Sequence, residues 1–146
     1  DGGATVDYPV SISFEDVTPP SIANSTPANN DTDVALNVDI SVEFDDDMLG
    51  STFTDTTITL VDITDPNAPT PRTVTNSFSY DAAQRTLTVY PGDGTNAGET
   101  LQANTRYRLR LTNGIRDDST NSLYTGNDPA QTYVDIIFRT VAPPAP

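Results

Sequence analysis

Val38-Asp39-Ile40-Ser41-Val42-Glu43-Phe44 alternates without a break: Val38, Ile40, Val42 and Phe44 take every second position, and Asp39, Ser41 and Glu43 take the rest. Successive side chains of a strand point to opposite faces, so the stretch predicts a strand with one face buried. Working outward, Ile58-Thr59-Leu60-Val61, Arg72 to Phe78 and Thr86-Leu87-Thr88-Val89-Tyr90 are the next candidates. Turn-rich text separates them, such as Asp65-Pro66-Asn67 and Tyr80-Asp81-Ala82-Ala83. Tyr107, Leu109 and Leu111 then alternate with Arg106, Arg108 and Arg110, and Tyr133 to Phe138 closes the unit. Short strands with apolar residues on one face predict an all-β fold, two antiparallel sheets packed face to face.

Composition agrees with that expectation. Thr and Asp are the most frequent residues, and Asn, Ser and Val are common beside 12 Pro and 8 Gly, a profile that disfavours helices. At 146 residues the chain fits one domain with a core of its own. Its 21 acidic residues face 7 basic ones, all Arg, for a formal net charge of -14. Phosphate backbones and anionic membrane surfaces would be repelled, which argues against nucleic-acid binding and membrane insertion. Such an acidic surface suits a protein kept soluble outside the cell or on its surface. With neither Cys nor His, disulfides, thiol nucleophiles, imidazole bases and Ser-His-Asp triads are all ruled out. No signal peptide and no run of 18 apolar residues occurs. A chain beginning at Asp1 rather than Met reads as excised from something larger.

An internal repeat supports that expectation. Val10-Ser11-Ile12-Ser13-Phe14-Glu15-Asp16-Val17-Thr18-Pro19-Pro20 aligns with Val134-Asp135-Ile136-Ile137-Phe138-Arg139-Thr140-Val141-Ala142-Pro143-Pro144, and Phe138 lies 124 residues after Phe14. Both stretches read as a strand followed by Val-x-Pro-Pro. The organisation expected is residues 1–18 as tail strand and linker of a preceding repeat, 19–142 as one sandwich, and 143–146 as linker to the next. Val10, Ile12 and Phe14 would then be an orphaned apolar stripe, expected to be β-paired with an edge of this chain or of another copy.

Five blocks resemble one family. Pro19-Pro20 precedes Ser25-Thr26-Pro27-Ala28-Asn29-Asn30-Asp31-Thr32-Asp33-Val34-Ala35-Leu36-Asn37, similar to a Ser-Pro loop leading into Asp-Val-x-x-Asn. Phe44-Asp45-Asp46-Asp47-Met48 resembles a Phe-Ser-Glu-Pro-Met block, with Asp47 in place of Pro. Tyr80 to Val89 resembles a central hairpin, and Leu101 to Leu109 a penultimate strand. Gly114-Ile115-Arg116-Asp117-Asp118-Ser119-Thr120-Asn121-Ser122-Leu123 resembles a Gly-Val-x-Asp-x-x-Gly-Asn-x-Leu turn in which Thr120 holds the Gly position, where a positive φ is expected. These blocks are similar to the bacterial Ig-like domains of the S-layer protein type, SbsA-like, repeated as a tandem array. The resemblance implies an Ig-like β-sandwich serving as spacer or adhesion module in exported proteins of bacteria and archaea, with neighbouring repeats as partners and no catalytic residues.

Candidate sites follow from the residues that remain. Asp45, Asp46 and Asp47 could join Asp117 and Asp118 in a carboxylate cluster suited to calcium, a hard cation that takes six to eight oxygens. Glu15-Asp16 at the repeat junction is a second calcium candidate, and no cofactor is otherwise required. Catalysis would have to use carboxylates alone, as in a glycoside hydrolase or its accessory domain. With so many Asp a fortuitous pair means little, so a non-enzymatic chain is expected. Carbohydrate binding is the stronger alternative. Trp is absent, Tyr90, Tyr107 and Tyr133 fall in strand patterns that predict core packing, and Tyr80 and Tyr124 lie near turns where a glycan ligand could reach them. The Arg106, Arg108, Arg110 alternation predicts cross-strand pairs with Asp or Glu, or a docking stripe for an acidic neighbour.

Overall fold

The computed structural model describes residues 17–65, 67, 72–74, 76–91, 101–128 and 130–143. Nine strands follow in chain order: β1 (Ile22–Thr26), β2 (Asp31–Val34), β3 (Ile40–Phe44), β4 (Ile58–Asp62), β5 (Arg72–Thr73), β6 (Asn76–Asp81), β7 (Thr86–Pro91), β8 (Arg106–Thr112) and β9 (Tyr133–Thr140). Among the described residues the single helical element is a 3-10 turn at Gly50–Thr52. One sheet has the order β1-β3-β7-β6, the other β2-β9-β8-β4-β5.

The alternation read from the sequence sets the core. Ile40, Val42 and Phe44 of β3 are buried while Glu43 is exposed, and Val38, two residues before the strand begins, packs half-buried against the same cluster. From the facing sheet come Ile58 and Leu60 of β4, Tyr107, Leu109 and Leu111 of β8, and Ile136 and Phe138 of β9. Each large apolar side chain removed from water contributes about 1.5–3 kcal/mol, so this layer dominates the stability.

Three features differ from the sequence expectation. The stretch from Arg72 to Phe78 is two short strands in different sheets: β5 pairs with β4, and β6 pairs with β7. The sheets are also not wholly antiparallel, because β2 runs parallel to β9, with Asp31 opposite Phe138 and Val34 opposite Thr140. The reason is continuity. β1 and β2 point the same way, and around Pro27, which has no N–H to give a ladder, the chain leaves one sheet for the other. Finally, β6 continues through Tyr80 and Asp81, so the hairpin turn is Ala82 to Arg85.

Because β1 starts beside Phe44 and β9 ends beside Thr105, the chain enters and leaves at opposite ends of the sandwich. The apolar stripe Val10, Ile12 and Phe14 and the Glu15-Asp16 pair lie outside the described residues.

Candidate functional site

At the N-terminal end, the two acidic segments meet. Met48 and Asp117 form an isolated antiparallel bridge, the Asp118 N–H donates to the Asp47 carbonyl (3.0 Å), and the Leu49 N–H donates to the Arg116 carbonyl (2.9 Å). The backbone thus brings Asp47 and Met48 beside Asp117 and Asp118, with Asp45 and Asp46 preceding them in the same loop. The carboxylates of Asp45, Asp46, Asp47 and Asp117 serve local partners, and Asp118 is exposed. Asp45 accepts from the Ser21 N–H (2.8 Å) and Ser21 Oγ (2.7 Å), fastening the incoming chain. Asp46 Oδ1 accepts from the Asp47 N–H (2.7 Å). Asp47 accepts from Arg85 Nε (2.9 Å), and the hydrogen bond holds the exposed guanidinium above its ordinary pKa.

Asp117 is the exception in burial, at 1% exposure. Its Oδ1 accepts from the Asn121 N–H (2.7 Å) and its Oδ2 from Asn121 Nδ2 (3.0 Å), so the carboxylate clamps the turn that follows it. Thr120 in that turn has φ 68°. A β-branched residue is strained there, as the departure from Gly at this position foretold. Among the described residues no group of three or more Asp and Glu side chains is placed to hold a metal ion.

Beside this end, Tyr80 is half-buried rather than exposed. Its hydroxyl accepts from the Met48 N–H (3.0 Å), and its ring packs 5.0 Å from Phe53, which lies 5.7 Å from Phe44. Burial raises the phenol above its ordinary pKa, opposed by the Met48 hydrogen bond and reinforced by Asp47 and Asp118. Tyr124 is 44% exposed, and its hydroxyl donates to Asn127 Oδ1 (2.7 Å). Among the strand tyrosines only Tyr107 is a core residue. Tyr90 faces outward, because Leu87 and Val89 hold the inward positions of β7, and Tyr133 lies on the outer face of β9.

That outer face gathers four of the seven arginines. Arg106, Arg108 and Arg110 project from β8 and Arg139 from β9. Among the described residues, only Arg110 of these makes the expected carboxylate pair. Its Nε and Nη2 reach Asp135 Oδ1 (2.8 Å) and Oδ2 (2.9 Å), and its guanidinium lies 3.5 Å over the Tyr133 ring. The Asp135 hydrogen bonds raise its pKa against the opposing effect of burial. Arg106 instead stands opposite Arg139, a like-charge cross-strand pair, and Arg139 donates to the carbonyl and Oδ1 of Asn104. Arg108 is flanked by Val61 and Ile137, and its Nε is buried without a hydrogen-bond partner. Sequence reasoning missed both, because neither the strand partner nor its register is visible in one strand's alternation.

Comparison with known proteins fits this architecture. No curated protein matches the chain. In fold it is similar to domains 1–6 of the surface layer protein SbsC, with TM-score 0.55 and 12% identity over 86% of this chain. The chain spans 14% of that structure's length. It is also similar to PcoC, a copper resistance protein from Escherichia coli (TM-score 0.58, 16% identity, 82% of this chain and 97% of PcoC). A third similar structure is CopC from Methylosinus trichosporium OB3b (TM-score 0.57, 9% identity, 87% and 98%). The family model for the bacterial Ig-like domain matches residues 16–140, which span both sheets, the Asp117 clamp and the arginine face, and the chain belongs to that family.

Proposed function

We propose that this chain is a non-catalytic structural module from a tandem array in a secreted or cell-surface bacterial protein, where it holds apart or presents other domains. The observation that carries this reading is the repeat. Its 124-residue offset nearly equals the span of the family match, 16–140, so one period accounts for one sandwich. Similarity to a surface layer protein supports a place outside the cell. Among the described residues no helix is long and apolar enough to cross a membrane. Copper handling, suggested by the name of PcoC, has little to work with: one Met, 4% exposed, with no His or Cys in the sequence. The test is the reading frame of the parent gene. Further copies at about this spacing support the array, and a frame with none refutes it.

A second reading, glycan binding, draws on Tyr124, an exposed aromatic beside a groove. Retention on insoluble polysaccharide that is lost in Tyr124→Ala supports it, and no retention removes it.

A further inference from the structure

Val17-Thr18-Pro19-Pro20 is the counterpart of Val141-Ala142-Pro143-Pro144 in the repeat. In an array these are the same junction, described once from each side. On the preceding module, the chain is held through Val141, whose N–H donates to the Val34 carbonyl (3.0 Å) and whose carbonyl accepts from the Asn104 N–H (2.7 Å). On the following module, it is held from Pro20, which is buried and whose carbonyl accepts from the Tyr124 N–H (2.8 Å). Ser21, fastened by Asp45, comes next. Between the two anchors lie positions 18 and 19 alone, and position 19 is Pro in both copies. Three trans peptide units span at most about 11 Å, too little to keep two sandwiches from touching.

The N-terminal end has a surface suited to that contact. A groove of about 410 Å³ is lined by Ser21, Ile22, Tyr124, Thr125, Gly126 and Val134. Of the three large hydrophobic residues exposed in the described chain, Val17 (75%) and Tyr124 (44%) belong to this end. Val141, the counterpart of Val17, is half-buried against its own module. The exposure of Val17 is therefore what a missing preceding copy would remove.

Resting on the tandem reading above, we propose that this groove seats the C-terminal end of the preceding copy, so that consecutive modules abut as a stiff pair. The arriving surface carries the exposed residues Gln102, Asn104 and Ala142. Linker shortness forces the approach, and the apolar groove gives it a fixed orientation.

The experiment uses a two-module chain, residues 1–142 followed directly by 19–146, which reproduces the junction in register. Its comparison is the same chain with a Gly-Ser insertion of about six residues after position 142. Backbone ¹⁵N relaxation should give both modules one shared correlation time in the direct fusion, about twofold or more above the single chain. The insertion should return it most of the way to the single-module value. Tyr124→Ser in the second copy should loosen the pair, whereas the single chain carrying it still unfolds in one cooperative transition. Equal relaxation with and without the insertion would overturn the proposal, as would an unloosened Tyr124→Ser pair. Failure of the array itself is a separate result: it is read in the parent gene, whereas flanking copies joined by a loose junction would sink only the abutting contact.

Discussion

The acidic N-terminal end and the arginine face solve the same problem, like charges crowded on a small surface, in different ways. At the acidic end each of Asp45, Asp46 and Asp117 accepts from a backbone N–H, and Asp47 accepts from Arg85. The negative charge there fastens loops. On the arginine face one guanidinium finds a carboxylate, two stand opposite each other, and a fourth lies between Val61 and Ile137. The difference follows from reach. A short carboxylate in a loop meets peptide donors close by, whereas an arginine on a strand sees only what the neighbouring strands present at its register.

If carboxylates at the acidic end are structural, Asp117 should be the costliest to remove. Asp117→Ala removes the buried carboxylate that accepts from both the Asn121 N–H and its side-chain amide, and with it the clamp on an otherwise exposed turn. We expect a loss of about 3 kcal/mol, read as a lower urea midpoint with an unchanged slope. A loss below about 1 kcal/mol would mean that the turn holds without its clamp.

On the arginine face the corresponding test is Arg110→Ala. The pair with Asp135 is bidentate and about three-quarters shielded, with side chains 26% and 22% exposed, and the ring of Tyr133 lies beneath the guanidinium. Together these are expected to contribute about 1.5 kcal/mol. The same substitution at Arg106, which stands opposite Arg139, should cost less than Arg110→Ala. Equal losses would erase the contrast between the two arginines.

A gain is expected from Thr120→Gly. Glycine adopts φ 68° without a Cβ clash, and that relief outweighs its larger unfolded-state entropy, for a net of about 1 kcal/mol. Thermal unfolding should show a higher Tm. No change would mean that the hydroxyl bond from Thr120 to the Ser119 carbonyl offsets the strain.

The legibility of the molecule tracks side-chain size. β3 and β8 were readable because Ile, Val, Phe, Leu and Tyr alternate with charged residues, and a period of two needs no partner to be seen. β1 and β2 were not, since Ile22-Ala23-Asn24-Ser25-Thr26 and Asp31-Thr32-Asp33-Val34 bury little and leave no stripe. The sheet switches near Pro27 and Val74 are tertiary events that propensity does not encode. The strain at Thr120 was legible because a glycine is expected in that turn. The burial of Asp117 was not: Asp117-Asp118 looks like a solvated pair, and the hydrogen bonds that Asn121, four residues on, gives to one of the two exist only in the folded turn.

Calcium is the smallest expected effect and bears most directly on the acidic end. An ion bound among Asp45, Asp46, Asp47, Asp117 and Asp118 would have to compete with Ser21, Arg85 and Asn121 for the same oxygens. Bare carboxylate clusters of extracellular modules bind with Kd values of about 10⁻⁴ to 10⁻³ M, and that competition can only weaken the affinity. At 1 mM Ca²⁺ and a Kd of about 1 mM, mass action gives about 0.4 kcal/mol of stabilisation. We therefore expect a calcium-specific rise in Tm at or below that level, measured against MgCl₂ and against NaCl at matched ionic strength, since general screening raises all three alike. Asp45→Asn, which keeps an acceptor for Ser21 but removes the charge, should abolish whatever calcium-specific part exists. A rise several times larger than this, lost in Asp45→Asn, would show that the carboxylates leave their local partners to coordinate the ion, and the acidic end would then be a ligand site rather than a set of loop fasteners.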